Sequence, residues 1–128
     1  MKTIQVACGI IVNGDKTLVV QRNENMTLPL KWEFAGGKIE KNESAEDCIL
    51  REIKEELNIE IKLICKMTTN NHSYDSINIE LIPFLANYTG GQIKLLEHKK
   101  YKWLKKSELK SLNWADADIP ILNEYLSL

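Results

Sequence analysis

Apolar, β-branched residues run from Ile4 to Val12 and again from Leu18 to Val20, with Asn13-Gly14-Asp15 between them. That arrangement predicts a β-hairpin closed by a tight turn. Asn23 to Lys31 is polar and contains Pro29, so it reads as a loop. A change of period follows. Ile49, Leu50, Ile53 and Leu57 recur at helical spacing, Ser44 stands where its hydroxyl would cap a first turn, and Glu46 and Asp47 suit the positive end of the dipole. The helix is expected to stop near Asn58, a residue that tolerates the left-handed conformation.

Beyond it, Ile59–Met67 and Ile77–Tyr88 read as strands, Gly90-Gly91 as a turn and Tyr101–Leu104 as a short strand. Ser107–Leu112 and Asp118–Leu126 read as helices, with Pro120 acceptable in a first turn. Strands interrupted by one central helix and followed by helices predict an α/β or α+β sandwich.

The chain has 128 residues and 44% hydrophobic content, which is expected to make one domain, residues 1–128, with an ordinary core. Seventeen basic against eighteen acidic side chains leave a net charge of −1, which argues against binding a nucleic-acid polymer or an anionic membrane and leaves small ligands open. Cys8, Cys48 and Cys65 are odd in number and far apart, the pattern of neither a disulfide framework nor a zinc site, so a reducing cytoplasm is expected. The start carries one lysine and a short apolar run, but Gln5 interrupts it and a turn follows, so it reads as a first strand rather than a secretion signal. No run reaches the ~18 apolar residues of a membrane span. A monomer and a homodimer are both compatible with this surface.

The central helix has a second periodicity. At about 100° per residue, Glu52, Glu55 and Glu56 share an arc beside the apolar stripe, while Arg51, Lys54 and Asp47 point outward. Like charges at that spacing repel by a few tenths of a kcal/mol per pair, so a cation is expected there. Just before the helix, Gly36-Gly37 in EFAGGKIEKNES would let backbone approach whatever the arc holds.

Joined together, these pieces have a fixed spacing. From Gly37 five residues lead to Glu43, seven more lead to Arg51, and Arg51-Glu52-Ile53-Lys54-Glu55-Glu56-Leu57-Asn58-Ile59 follows. This resembles the Nudix box, G-x(5)-E-x(7)-R-E-U-x-E-E-x-G-U with U a bulky aliphatic, at every position except Asn58, where the family has glycine. Asparagine also accepts the left-handed helix end. The resemblance extends over nearly the whole chain and is closest to MutT-type nucleotide diphosphatases, through WEFAGGKIE, a late acidic loop, a tryptophan strand and ADIPIL.

The resemblance implies an α-β-α sandwich with a mixed sheet and a catalytic loop-helix-loop. It also implies Mg²⁺- or Mn²⁺-dependent hydrolysis of a nucleoside triphosphate to the monophosphate and pyrophosphate. Glu52, Glu55 and Glu56 match the family's metal-binding and base-supplying glutamates, the carbonyl of Gly36 a backbone metal ligand, and Glu97 a further loop glutamate that reaches the metal. Gly37, Glu43 and Arg51 match structural positions of the box, the last two as a pair tying loop to helix. Arg22, Phe34, Lys38 and Asp118 match substrate contacts. In 8-oxo-dGTP-directed relatives an asparagine stands where this chain has Asp118, and CTP-directed relatives resemble it in having aspartate.

The chemistry agrees with these expectations. Clustered carboxylates without cysteine or histidine suit hard cations, and hydrolysing an internal anhydride needs phosphate charge neutralised and a water activated. Two other readings stay open: a hydrolase of a different nucleoside diphosphate derivative, and a binding module of the same fold that has lost catalysis. His72 and His98 are expected to be structural or exposed, and Trp32, Trp103, Trp114 and Cys48 to pack.

Overall fold

The structure, a computed structural model, describes residues 2–128. Its first strand, β1 (Lys2–Asn13), runs through the middle of the sheet and is buried at its centre on both faces, which is why its sequence is apolar without alternation. Cys8 and Ile10 point to one side, and Ala7 and Ile11 to the other. β2 (Lys16–Gln21) returns after the two-residue turn Gly14-Asp15, with Asn13 opposite Lys16.

The remaining strands are β3 (Trp32–Glu33), β4 (Gly36–Lys38), β5 (Glu60–Lys66), β6 (Asn70–Tyr74), β7 (Ile77–Gly90) and β8 (Lys100–Lys105). They form one mixed sheet in the order β3-β2-β1-β7-β5, with β4 added to β1, β6 to β7 and β8 to β2. β1 and β7 are parallel over eleven residue pairs, and the other pairings are antiparallel.

Helices cover both faces. α1 (Ala45–Leu57) lies on one, where Cys48, Ile49, Ile53 and Leu57 are fully buried against Ala7, Ile11, Leu18, Val20 and Phe84. Burial of each of the three aliphatic side chains, Ile49, Ile53 and Leu57, contributes ~1.5–3 kcal/mol. α2 (Lys106–Leu109), a 3₁₀ turn at Asp116–Asp118 and α3 (Ile119–Leu126) lie on the other, packing Leu109, Ile121, Leu122 and Tyr125 against Ile10, Val19 and Trp32. No helix among the described residues is long and apolar enough to cross a membrane.

The caps of α1 are those expected. Ser44 accepts a hydrogen bond from the Asp47 N–H at 3.0 Å, and Asn58 ends the helix at φ 60° with its N–H donating to the Lys54 carbonyl. Elsewhere the pattern misled. Leu50 is 42% exposed, because the stripe facing the sheet passes through Cys48 instead. Arg51 is not turned outward but lies along the helix among carboxylates. β6 was not foreseen, its sequence NNHSY being polar, and no strand was expected at the short β3 and β4. The helix expected over Ser107–Leu112 ends at Leu109, and the last one starts at Ile119 behind the 3₁₀ turn.

Candidate active site

Two glycines bring the loop before α1 onto the helix. A Cβ at Gly36 would lie 1.9 Å from the Ala7 carbonyl oxygen, so β4 can pair with β1 only without a side chain there. A Cβ at Gly37 would lie 2.2 Å from the Glu52 carboxylate carbon, so that carboxylate rests directly on the Gly37 backbone. The arc and the glycine pair are thus one unit.

Arg51 supplies a cation within the arc. Its Nε and Nη2 donate to the two Glu43 oxygens at 2.6 and 2.9 Å, and its Nη1 donates to Glu52 and Glu55 at 3.0 and 3.1 Å. This fork holds the Glu43 carboxyl down at about 2, helped by the Glu40 N–H. Burial pushes Glu52 above the usual carboxylate range while Arg51 opposes it. Burial also raises Glu56, and the charges of Glu97 and Glu52 add to the shift.

Glu52 and Glu56 line a cavity of about 370 Å³ together with Gly36, Gly37, Lys38, Glu97 and His98. Glu55 is held by Arg51 outside this lining with its side chain 55% exposed. Among the described residues no three carboxylate, histidine or cysteine groups already converge at coordination distance. The donor set nevertheless fits a hard divalent cation. Glu56 Oε2 is buried without a hydrogen-bond partner, a cost of ~1–3 kcal/mol for a polar group left so, and the groups around it are oxygens rather than thiolates.

The other end of the cavity is shaped by a second network. Glu33 accepts from Arg22 Nη1 at 2.9 Å through one oxygen and pairs with His98 Nε2 at 2.8 Å through the other. Arg22 also donates to the Thr27 carbonyl and hydroxyl, so it organises the 23–31 loop, where Leu28 and Leu30 adopt φ of 49° and 63°. The Asn23 amide donates to the Glu97 carbonyl at 2.6 Å, which fixes the acidic loop to the same wall. Asp118 does not cap α3; its Oδ2 accepts from the Phe34 N–H at 2.9 Å. Burial pushes its carboxyl well above the usual range and the charge of Glu33 adds to that, against the Phe34 hydrogen bond and Arg22.

Asp118, Arg22, Glu33, Val6 and Leu81 also border an adjoining hollow of about 540 Å³ with largely apolar walls that include Ile4, Ile79, Tyr74 and Leu28. The cleft therefore has an acidic end, a buried acid in the middle and an apolar end. Of the residues singled out from sequence, it brings together Glu52, Glu56, Glu97, Gly36, Gly37, Lys38, Arg22, Phe34 and Asp118, and leaves Glu43, Arg51 and Glu55 on the outer side of α1. Sequence reasoning missed the Glu33–His98 pair and the apolar walls. The one signal for the pair was His98 standing next to Glu97.

Residues 2–125 match the NUDIX domain family. CTP pyrophosphohydrolase of Escherichia coli (strain K12) is 32% identical over 128 residues, covering 100% of this chain and 95% of that protein. The 8-oxo-dGTP diphosphatase of the same organism is 27% identical over 123 residues, with 95% of each covered. The solution structure of MutT from methicillin-resistant Staphylococcus aureus 252 superposes with a TM-score of 0.81 at 42% identity, covering 99% of this chain and 98% of that one.

Proposed function

The chain belongs to the NUDIX family and is a hydrolase of acid anhydrides, and from that premise we propose that it cleaves nucleoside triphosphates to the monophosphate and pyrophosphate. The observation that carries this reading is the polarity of the cleft: Glu52, Glu56 and Glu97 at one end, buried Asp118 and apolar walls at the other. A triphosphate is anionic at one end and a flat base at the other, and the cleft matches both.

Mg²⁺, or Mn²⁺, held by Glu52, Glu56, Glu97 and the Gly36 carbonyl, would neutralise phosphate charge and lower the pKa of a water. Glu55 completes the acidic set from the solvent side. Glu52 and Glu56, the two α1 glutamates that line the cavity, are the groups placed to accept a proton from water through an oxygen that the metal leaves free. Lys38, exposed at the mouth, balances the negative charge of the leaving pyrophosphate. Arg22 and Glu33 set the wall on which the nucleoside rests, with Phe34 buried behind it.

Asp118 is the group we assign to the base. With Oδ2 engaged by Phe34, the other oxygen presents an O–H when the acid is protonated and lone pairs alone when it is ionised. The ionised form favours amino groups such as the cytosine N4 amine; the protonated form pairs also with the carbonyl-rich edge of 8-oxoguanine. The substrates proposed are accordingly CTP or dCTP and 8-oxo-dGTP, met as free nucleotides in a reducing cytoplasm. The test is product analysis with ordinary and oxidised (d)NTPs, in Mg²⁺ and in EDTA. Monophosphate plus pyrophosphate, formed in Mg²⁺ and lost in EDTA, is the expected outcome. Release of orthophosphate with the diphosphate, or no turnover of any triphosphate, would overturn it.

A further inference from the structure

Ala117, the residue before Asp118, has both of its backbone polar groups taken by side chains of one strand. Its N–H donates to the Tyr74 hydroxyl at 3.0 Å, and its carbonyl accepts from the Asn70 amide at 2.9 Å. Asn70 and Tyr74 lie four residues apart on β6 and so share a face. β6 is in turn fixed to β7 by a ladder from Asn70–Leu81 to Tyr74–Ile77. Each of the two peptide units flanking Ala117 is held by one of these bonds, and a rotation that broke either would swing Asp118 away from the Phe34 N–H. An apolar side chain at position 70 or 74 could pack against the 3₁₀ turn but could not hold its backbone, which accounts for the polar groups at these two positions of β6.

We infer that Asn70 and Tyr74 are specificity-determining positioning residues: by clamping Ala117 they fix the direction in which Asp118 meets the base. This rests on the reading that Asp118 contacts the base. Asn70 is outside the walls of the cleft and its side chain reaches the site through the Ala117 carbonyl, whereas Tyr74 also lines the apolar hollow.

The experiment compares kcat and KM for CTP, GTP, ATP and UTP in the wild type, Asn70→Leu, Tyr74→Phe, Asp118→Ala and the Asn70→Leu/Asp118→Ala double variant. Asn70→Leu and Tyr74→Phe are near-isosteric, and thermal unfolding verifies that each variant is folded. Asn70→Leu and Tyr74→Phe are expected to compress the spread of kcat/KM across bases by about three- to tenfold each, the size expected for loss of one hydrogen bond. The compression from Asn70→Leu should reside in KM and should vanish in the Asp118→Ala background. If Asp118→Ala changes the base ranking while Asn70→Leu lowers kcat/KM equally for all four bases, or adds in full to Asp118→Ala, the clamp is wrong and the Asp118 reading survives. If Asp118→Ala leaves the ranking unmoved, that reading fails and the clamp fails with it.

Discussion

Glu56 carries opposed demands. Its oxygen is buried without a partner and its pKa is raised by burial and by Glu97 and Glu52. A carboxyl whose folded pKa is raised costs nothing below the ordinary carboxylate range, where both states are protonated. The penalty grows as pH rises and the unfolded chain ionises first. Glu56→Gln is therefore expected to raise Tm at neutral pH in EDTA, with the gap closing in acid, while pyrophosphate release at saturating Mg²⁺ falls by ~10²–10⁴. Near-normal turnover would remove Glu56 from the chemistry. Glu52 is also raised by burial, against Arg51, so Glu52→Gln is expected to shift Tm in the same direction by less, because it surrenders the ion pair to Arg51.

At the level of elements, α1 and the loop before it are joined by Arg51, whose fork closes on Glu43 while Glu43 also accepts from the Glu40 N–H. Glu43 lies at about 2, below the ordinary range. For a depressed acid the sign reverses: its stabilisation is full above the unfolded value and is lost as pH falls toward the folded one. Glu43→Gln should lower Tm near neutrality, and the difference from wild type should shrink progressively as pH drops from the ordinary carboxylate range to about 2. Thermal unfolding across that window reads it, and a constant difference at every pH would mean the fork contributes by packing rather than by charge.

Across the whole molecule, the sheet is held between two cores, and the α3 side contains a buried polar tie. The Thr17 hydroxyl and the Tyr125 hydroxyl are 2.7 Å apart, joining β2 to the last helix over 108 positions of chain. Tyr125→Phe leaves the Thr17 hydroxyl buried and unpaired, which costs ~1–3 kcal/mol. Tm should fall by several degrees, while base selectivity stays as in the wild type because Tyr125 is remote from both hollows of the cleft. A loss of selectivity without a loss of Tm would show that α3 reaches the site by another route.

What the sequence determined by itself was local. Ser44, Asn58 and the Ile49–Ile53–Leu57 stripe specify α1 through bonds and contacts within a few residues, and the box spacing put Glu52, Glu56 and the glycine pair in one unit. What the tertiary structure decided was long-range: that Asp118 meets Phe34 across 84 positions rather than capping α3, that Glu33 ties Arg22 to His98, and that polar β6 grips Ala117. It also decided that Leu50 faces water and Arg51 its carboxylates. The physical reason is that capping, helical period and turn chemistry are satisfied by neighbours in the chain. A buried polar side chain takes whichever backbone group the folded layers bring within 3 Å, and no local pattern encodes that partner.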